Sequence, residues 1–126
     1  MINFFSRSNY KFSRKIVAEK ISSYLKECGF AETYFLNVIF VGRRKMKEIA
    51  KKYKKEDLAL PILSFSYLSN NAETYHDMSL ATDEKLIGEI FICYPQAVLL
   101  AAKREREVDT IIIELIKHGI ENILLK

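Results

Sequence analysis

One apolar pattern near the end of the chain limits the choice of fold. Val108, Ile111, Ile112, Leu115, Ile116, Gly119, Ile120 and Ile123 recur at intervals of three and four, the repeat of one face of an α-helix. The face is wide and built largely of branched residues. A helix of this kind, running from about 108 towards the end, belongs at the centre of a core and needs other layers to cover it.

The rest of the chain supplies those layers. Residues 1–5 read as a short edge strand. Ser13 is a good N-cap, and Phe12 and Val17 are placed to staple the start of a helix over about 13–28. Ile16, Val17, Ile21, Tyr24, Leu25 and Cys28 fall on one face of it, and Gly29 suits the position just past its end. Residues 34–41 form an apolar run rich in β-branched and aromatic residues, the mark of a mostly buried strand. Gly42 ends it. A helix follows over about 43–55, with Met46, Ile49, Ala50 and Tyr53 as its expected buried stripe. In the next strand, 61–68, Leu63, Phe65 and Tyr67 alternate with Ser64 and Ser66, and Pro61 suits a first or edge position. Residues 69–85 are polar and read as a long surface loop containing His76, a solvated residue on this reading. A strand over 87–93 and a helix over about 95–104, with Pro95 in its first turn, complete the set.

The order is β-α-β-α-β-β-α-α. It predicts an α/β (α+β mixed) domain in which a single mixed sheet of about four strands carries packed helices. With 126 residues the chain fits one domain, 1–126. No glycine-rich nucleotide loop, P-loop or nucleophile elbow is present. Cys28 and Cys93 lie in apolar surroundings without a CxxC partner, so they read as reduced thiols in or near the core and exclude a zinc ribbon. No uncharged run is long enough to span a bilayer, and the opening five residues are too short for a signal peptide. The expectation is a soluble cytoplasmic protein.

Three segments, in order and with fitting spacing, resemble the YbeY family of rRNA-maturation endoribonucleases. Tyr53-Lys54-Lys55-Glu56-Asp57-Leu58-Ala59-Leu60-Pro61-Ile62-Leu63-Ser64-Phe65 is similar to the family stretch Y-R-G-K-D-x-P-T-D-V-L-S-F. Ile87-Gly88-Glu89-Ile90-Phe91-Ile92 is similar to L-G-D-I-x-I. His118-Gly119-Ile120 resembles the opening of H-G-x-L-H-L-x-G-Y-D-H. The resemblance covers about residues 34–126 and implies a metal-dependent hydrolase acting on RNA, with zinc as its cation.

The family's three histidines stand at i, i+4 and i+10. The first two share one helix face, and three nitrogen ligands leave zinc an open position for water. Here i is His118, i+4 is Asn122, and i+10 would be position 128, beyond Lys126. An amide is a poor replacement for imidazole on zinc. Glu114, four residues before His118, can share its face as a remnant partner, although a partly exposed polar residue or an ion-pair partner suits it better. Lys54 stands where the family has an arginine, so it is the candidate catalytic cation, without the guanidinium's two-pronged grip on phosphate. Pro61 stands in place of an aspartate, and Glu89 keeps a carboxylate where the family has Asp. Site positions have changed together while the strand cores are kept. The metal site is therefore expected to be incomplete, with zinc absent or weakly held.

The net charge of +4 implies little alone, but its distribution matters. The 43–55 helix carries Arg43, Arg44, Lys45, Lys47, Lys51, Lys52, Lys54 and Lys55 against one acid, Glu48. A cationic face of this length neutralises phosphates and gains affinity by releasing counterions; the plainer reading is a solvated face. Arg43 and Arg44 sit in the first turn, where cations oppose the helix dipole. The expected RNA-binding residues are Arg43, Arg44, Lys47, Lys51, Lys52, Lys54 and Lys55, with RNA or the ribosome as partner and neither membrane nor DNA. Two alternatives stand beside this one: an active zinc-dependent single-strand endoribonuclease in rRNA processing, and a non-catalytic structural or protein-binding domain.

Overall fold

The computed structural model describes residues 1–68 and 85–125. Its elements follow the predicted order: β1 (Ile2–Ser6), α1 (Arg14–Glu27), β2 (Tyr34–Val41), α2 (Arg43–Tyr53), β3 (Ile62–Ser66), β4 (Lys85–Cys93), α3 (Tyr94–Arg104) and α4 (Val108–Leu124). The polar stretch read as a loop, with His76, falls outside the described residues except for Lys85, which opens β4.

Local chemistry sets the boundaries of α1. Ser13 accepts a hydrogen bond from the Ile16 amide and caps the helix. At the other end Gly29 takes φ +96. The Phe30 amide then donates to the Leu25 carbonyl and the Gly29 amide to Lys26, the paired bonds of a Schellman ending. The helix α2 stops at Tyr53 rather than near 55. Lys55 adopts φ 57, and the Lys54 and Glu56 amides both turn back to the Ala50 carbonyl.

The sheet order is β1-β2-β4-β3. The first three strands are parallel, and β3 runs antiparallel to β4 at an edge. Pro61, just before β3, needs no amide of its own there, and its carbonyl accepts from the Cys93 amide. One face of the sheet is covered by α1, α3 and α4. Val17, Ile21, Leu36, Phe40, Ile90, Ile92, Ala97 and the buried isoleucines of α4 form one continuous core there. Gly119 lets α4 approach closely, since a Cβ at that position would come 2.8 Å from Ile90 Cδ1. On the opposite face, among the described residues, α2 alone packs down, over Leu63 and Cys93, through Met46, Ile49 and Ala50.

A bulge decides which residues of β4 reach that second face. Phe35 pairs with Leu86, but Leu36 pairs with Gly88, so β4 carries one extra residue. Ile87 and Ile90 are both fully buried although three apart. Without the bulge, alternation would turn Glu89 into the apolar core; with it, Glu89 and Phe91 face the side of α2.

Two sequence expectations need correction. Tyr53, placed in the buried stripe of α2, is 57% exposed. It lies in the last turn, past the part of α2 that seats on the sheet, and its ring packs edge-on against Phe65. Ile16, grouped with the apolar face of α1, is 48% exposed because Val17, not Ile16, points at the core.

Candidate functional site

Among the described residues α2 covers one end of its side of the sheet, and a groove of about 920 Å³ lies beside it. That is near the upper end of the range of about 300–1,000 Å³ found for ligand sites. The floor is aromatic. Phe65 stands edge-on to Tyr53 at 5.2 Å and to Phe91 at 5.8 Å between ring centroids. At 100° per residue, Lys45, Glu48 and Lys52 lie on one flank of α2, and all three line the groove together with Lys54. The Lys52 ammonium lies 5.2 Å from the centre of the Tyr53 ring, a cation–π contact.

A carboxylate stands among these cations. Glu89 Oε1 accepts a hydrogen bond of 2.6 Å from the Tyr67 hydroxyl. The bond fixes the orientation of a half-buried side chain. Glu89 reaches this point through the β4 bulge, and Tyr67 through the alternation of β3 and the residue that follows it.

The structure brings only some of the expected cations together. Of the seven, Lys52 and Lys54 line the groove. Arg43, Arg44, Lys51 and Lys55 are exposed elsewhere on or just after α2. Lys47 lies on the far flank and pairs with Asp57 at 3.8 Å; both are exposed, so the pair contributes little stability. Sequence reasoning left Lys45, Phe65, Tyr67 and Phe91 out of the site and named Glu89 only as a retained carboxylate, without placing it beside the cations of α2. The alternation of Leu63, Phe65 and Tyr67 was a usable signal that these three share a face; nothing in the sequence said that, among the described residues, α2 covers only one end of it.

His118, Asn122 and Glu114 lie on α4, which packs on the other face of the sheet. His118 is exposed and Asn122 half-buried. Glu114 is held by two guanidinium groups, Arg106 at 3.5 Å and Arg104 at 3.7 Å. This is the ion-pair role that suited it better. A zinc centre does not fit these residues: one imidazole, one amide and a carboxylate already shared by two arginines are a poor donor set. Among the described residues no group of three or more His, Cys, Asp and Glu side chains is placed to hold a metal ion.

Fold and groove together define a mixed α/β domain with a cation-rimmed, aromatic-floored surface opening. A family model for endoribonuclease YbeY matches residues 4–124, and the chain belongs to that family. An endoribonuclease YbeY of Dehalococcoides mccartyi strain BAV1 is 30% identical over 118 residues, 90% of this chain and 71% of that protein. One from Thermodesulfovibrio yellowstonii is 35% identical over 94 residues, 71% of this chain and 50% of that protein. The solution structure of a Thermotoga maritima protein has the same fold, with a TM-score of 0.62 at 20% identity over 95% of this chain and 69% of that one. Among the described residues, no helix is long and apolar enough to cross a membrane.

Proposed function

We propose that this chain is an RNA-binding member of the YbeY family that acts in rRNA maturation in the cytoplasm, in association with the ribosome. It holds single-stranded RNA in the groove beside α2, with the family's metal chemistry reduced. The carrying observation is the juxtaposition of Lys45, Lys52 and Lys54 with the ring series Tyr53, Phe65 and Phe91. Cations along a rim take phosphates and release their counterions. Aromatic rings on a floor take bases, at about 1–3 kcal/mol per stacked base. A base reaches such a floor only when it is free of a duplex, which favours single strands. Lys54, at the mouth of the groove, serves substrate binding on this reading, and the outward cations Arg43, Arg44, Lys51 and Lys55 extend the field that draws RNA in. The amide of Asn122 in place of the second imidazole favours binding over hydrolysis.

Photo-cross-linking of a 4-thiouridine RNA, followed by peptide mapping, tests this. Cross-links within residues 43–67 and at 85–93 are expected. Cross-links confined to α1 and α4 would contradict it, and none at all would favour a protein-binding domain. A zinc-dependent nuclease remains the second reading, favoured by the exposed His118. Equimolar zinc in the purified protein, lost in His118→Ala, would establish it.

A further inference from the structure

We propose that the groove reads a base edge as well as holding a backbone: Tyr53 and Glu89, on either side of Phe65, form a subsite for a nucleobase with an exocyclic amino group, cytosine in preference to uracil. This rests on the RNA reading of the groove. Phe65 links the two residues. Tyr53 meets its ring at 5.2 Å, and Glu89 is its cross-strand partner in the antiparallel β3–β4 pair. Side chains of such partners project from the same face, so stacking ring and carboxylate border one space.

Tyr53 is more than half exposed, and with one ring neighbour among the described residues, Phe65, it keeps open surface for a base. Lys52 covers the ring in the free protein. A nucleotide phosphate draws that ammonium to the rim, and the base takes its place over the ring.

Glu89 supplies selectivity. Its Oε1 is tied to the Tyr67 hydroxyl; its Oε2 has no partner among the described residues. A carboxylate only accepts hydrogen bonds. Held in one orientation, it rewards a donor and penalises an acceptor. The cytosine N4 amino group is such a donor and pairs with Glu in base recognition. Uracil, of the same size and stacking area, presents the O4 carbonyl at that position and sets two acceptors against each other.

The test is a fluorescence-anisotropy titration with labelled strands of about eight cytidines or eight uridines, a length within the usual single-strand site size. The wild-type protein should bind the cytidine strand about 5- to 10-fold more tightly, the lower part of the range for a good base contact. Glu89→Gln, whose amide also donates, should bring the ratio to near one. Tyr67→Phe, which frees the carboxylate to turn, should lower it part-way. Tyr53→Ala should weaken both strands alike and keep the ratio. An equal affinity for the two strands in the wild type, or a ratio that survives Glu89→Gln, overturns the subsite while leaving RNA binding intact. Failure of both strands to bind with salt-dependent affinity overturns the RNA reading itself.

Discussion

Gly88 and Phe65 approach each other so closely across β3 and β4 that a Cβ on Gly88 would overlap the Phe65 carbonyl oxygen. The same Cβ would stand 2.9 Å from Ile123 Cδ1, in the last turns of α4. The glycine of the Ile87-Gly88-Glu89 segment is thus needed for space: it lets the edge strand, the bulge and α4 meet at one point. The obstructing atom is backbone and cannot rotate away. Gly88→Ala should therefore destabilise the fold by about 1–3 kcal/mol, the usual cost of overpacking. Urea unfolding measures this, and an unchanged midpoint would show that β3 shifts freely.

Asn122 and His118 stand one turn apart on α4, the spacing of a chelating pair. Restoring the imidazole with Asn122→His should tighten zinc binding at least about tenfold, or about 1.4 kcal/mol. It should also raise the melting temperature in zinc, since a cation bound only by the folded chain stabilises it. His118→Ala in that background should abolish the gain. Titration calorimetry reads the affinity, and no gain from Asn122→His would mean that the two side chains do not converge.

Cys93 is wholly buried, and burial pushes its thiol pKa up; the amide of Gln96 and the charge of Arg43 oppose this only in part. A thiol whose pKa is raised on folding holds its proton more tightly in the native state. Stability from this group is therefore present below the unfolded value, about 8.5, and is lost as pH rises through the folded value. Tyr24 is raised too, by burial first and then by Cys28 and Glu121; it adds a loss of the same sign at higher pH. Denaturation midpoints should fall from about pH 8.5 upward, and less steeply in Cys93→Ala than in the wild type. Parallel slopes would mean that Cys93 does not titrate in this window.

The eight elements were legible because helix and strand leave different periods in the apolar residues. The long stripe of α4 and the alternation of Leu63, Phe65 and Tyr67 show this most clearly. Gly29 marked the end of α1 because only a residue tolerant of positive φ suits that turn. Sheet order was not legible: β2 pairs with β4 across about fifty residues, and no local pattern names a partner. Tyr53 was misplaced for a related reason. Helical spacing gives the face a residue shares, but not how far along the helix its neighbour extends. The bulge that delivers Glu89 to the groove was equally hidden, since Ile87 and Ile90 look like ordinary strand residues until their partners are known. Chemistry of composition, such as the cations of α2, was visible; which of them share a groove depends on packing.

Salt dependence of RNA affinity, compared between the wild type and Lys45→Glu/Lys52→Glu, two cations that line the groove, tests the groove most directly. For single strands the slope of log affinity against log salt is about −0.7 per phosphate neutralised. Loss of two cations should weaken binding at low salt and flatten the slope by about 1.4. Binding and slope both unchanged in the double variant would mean that RNA does not lie along α2.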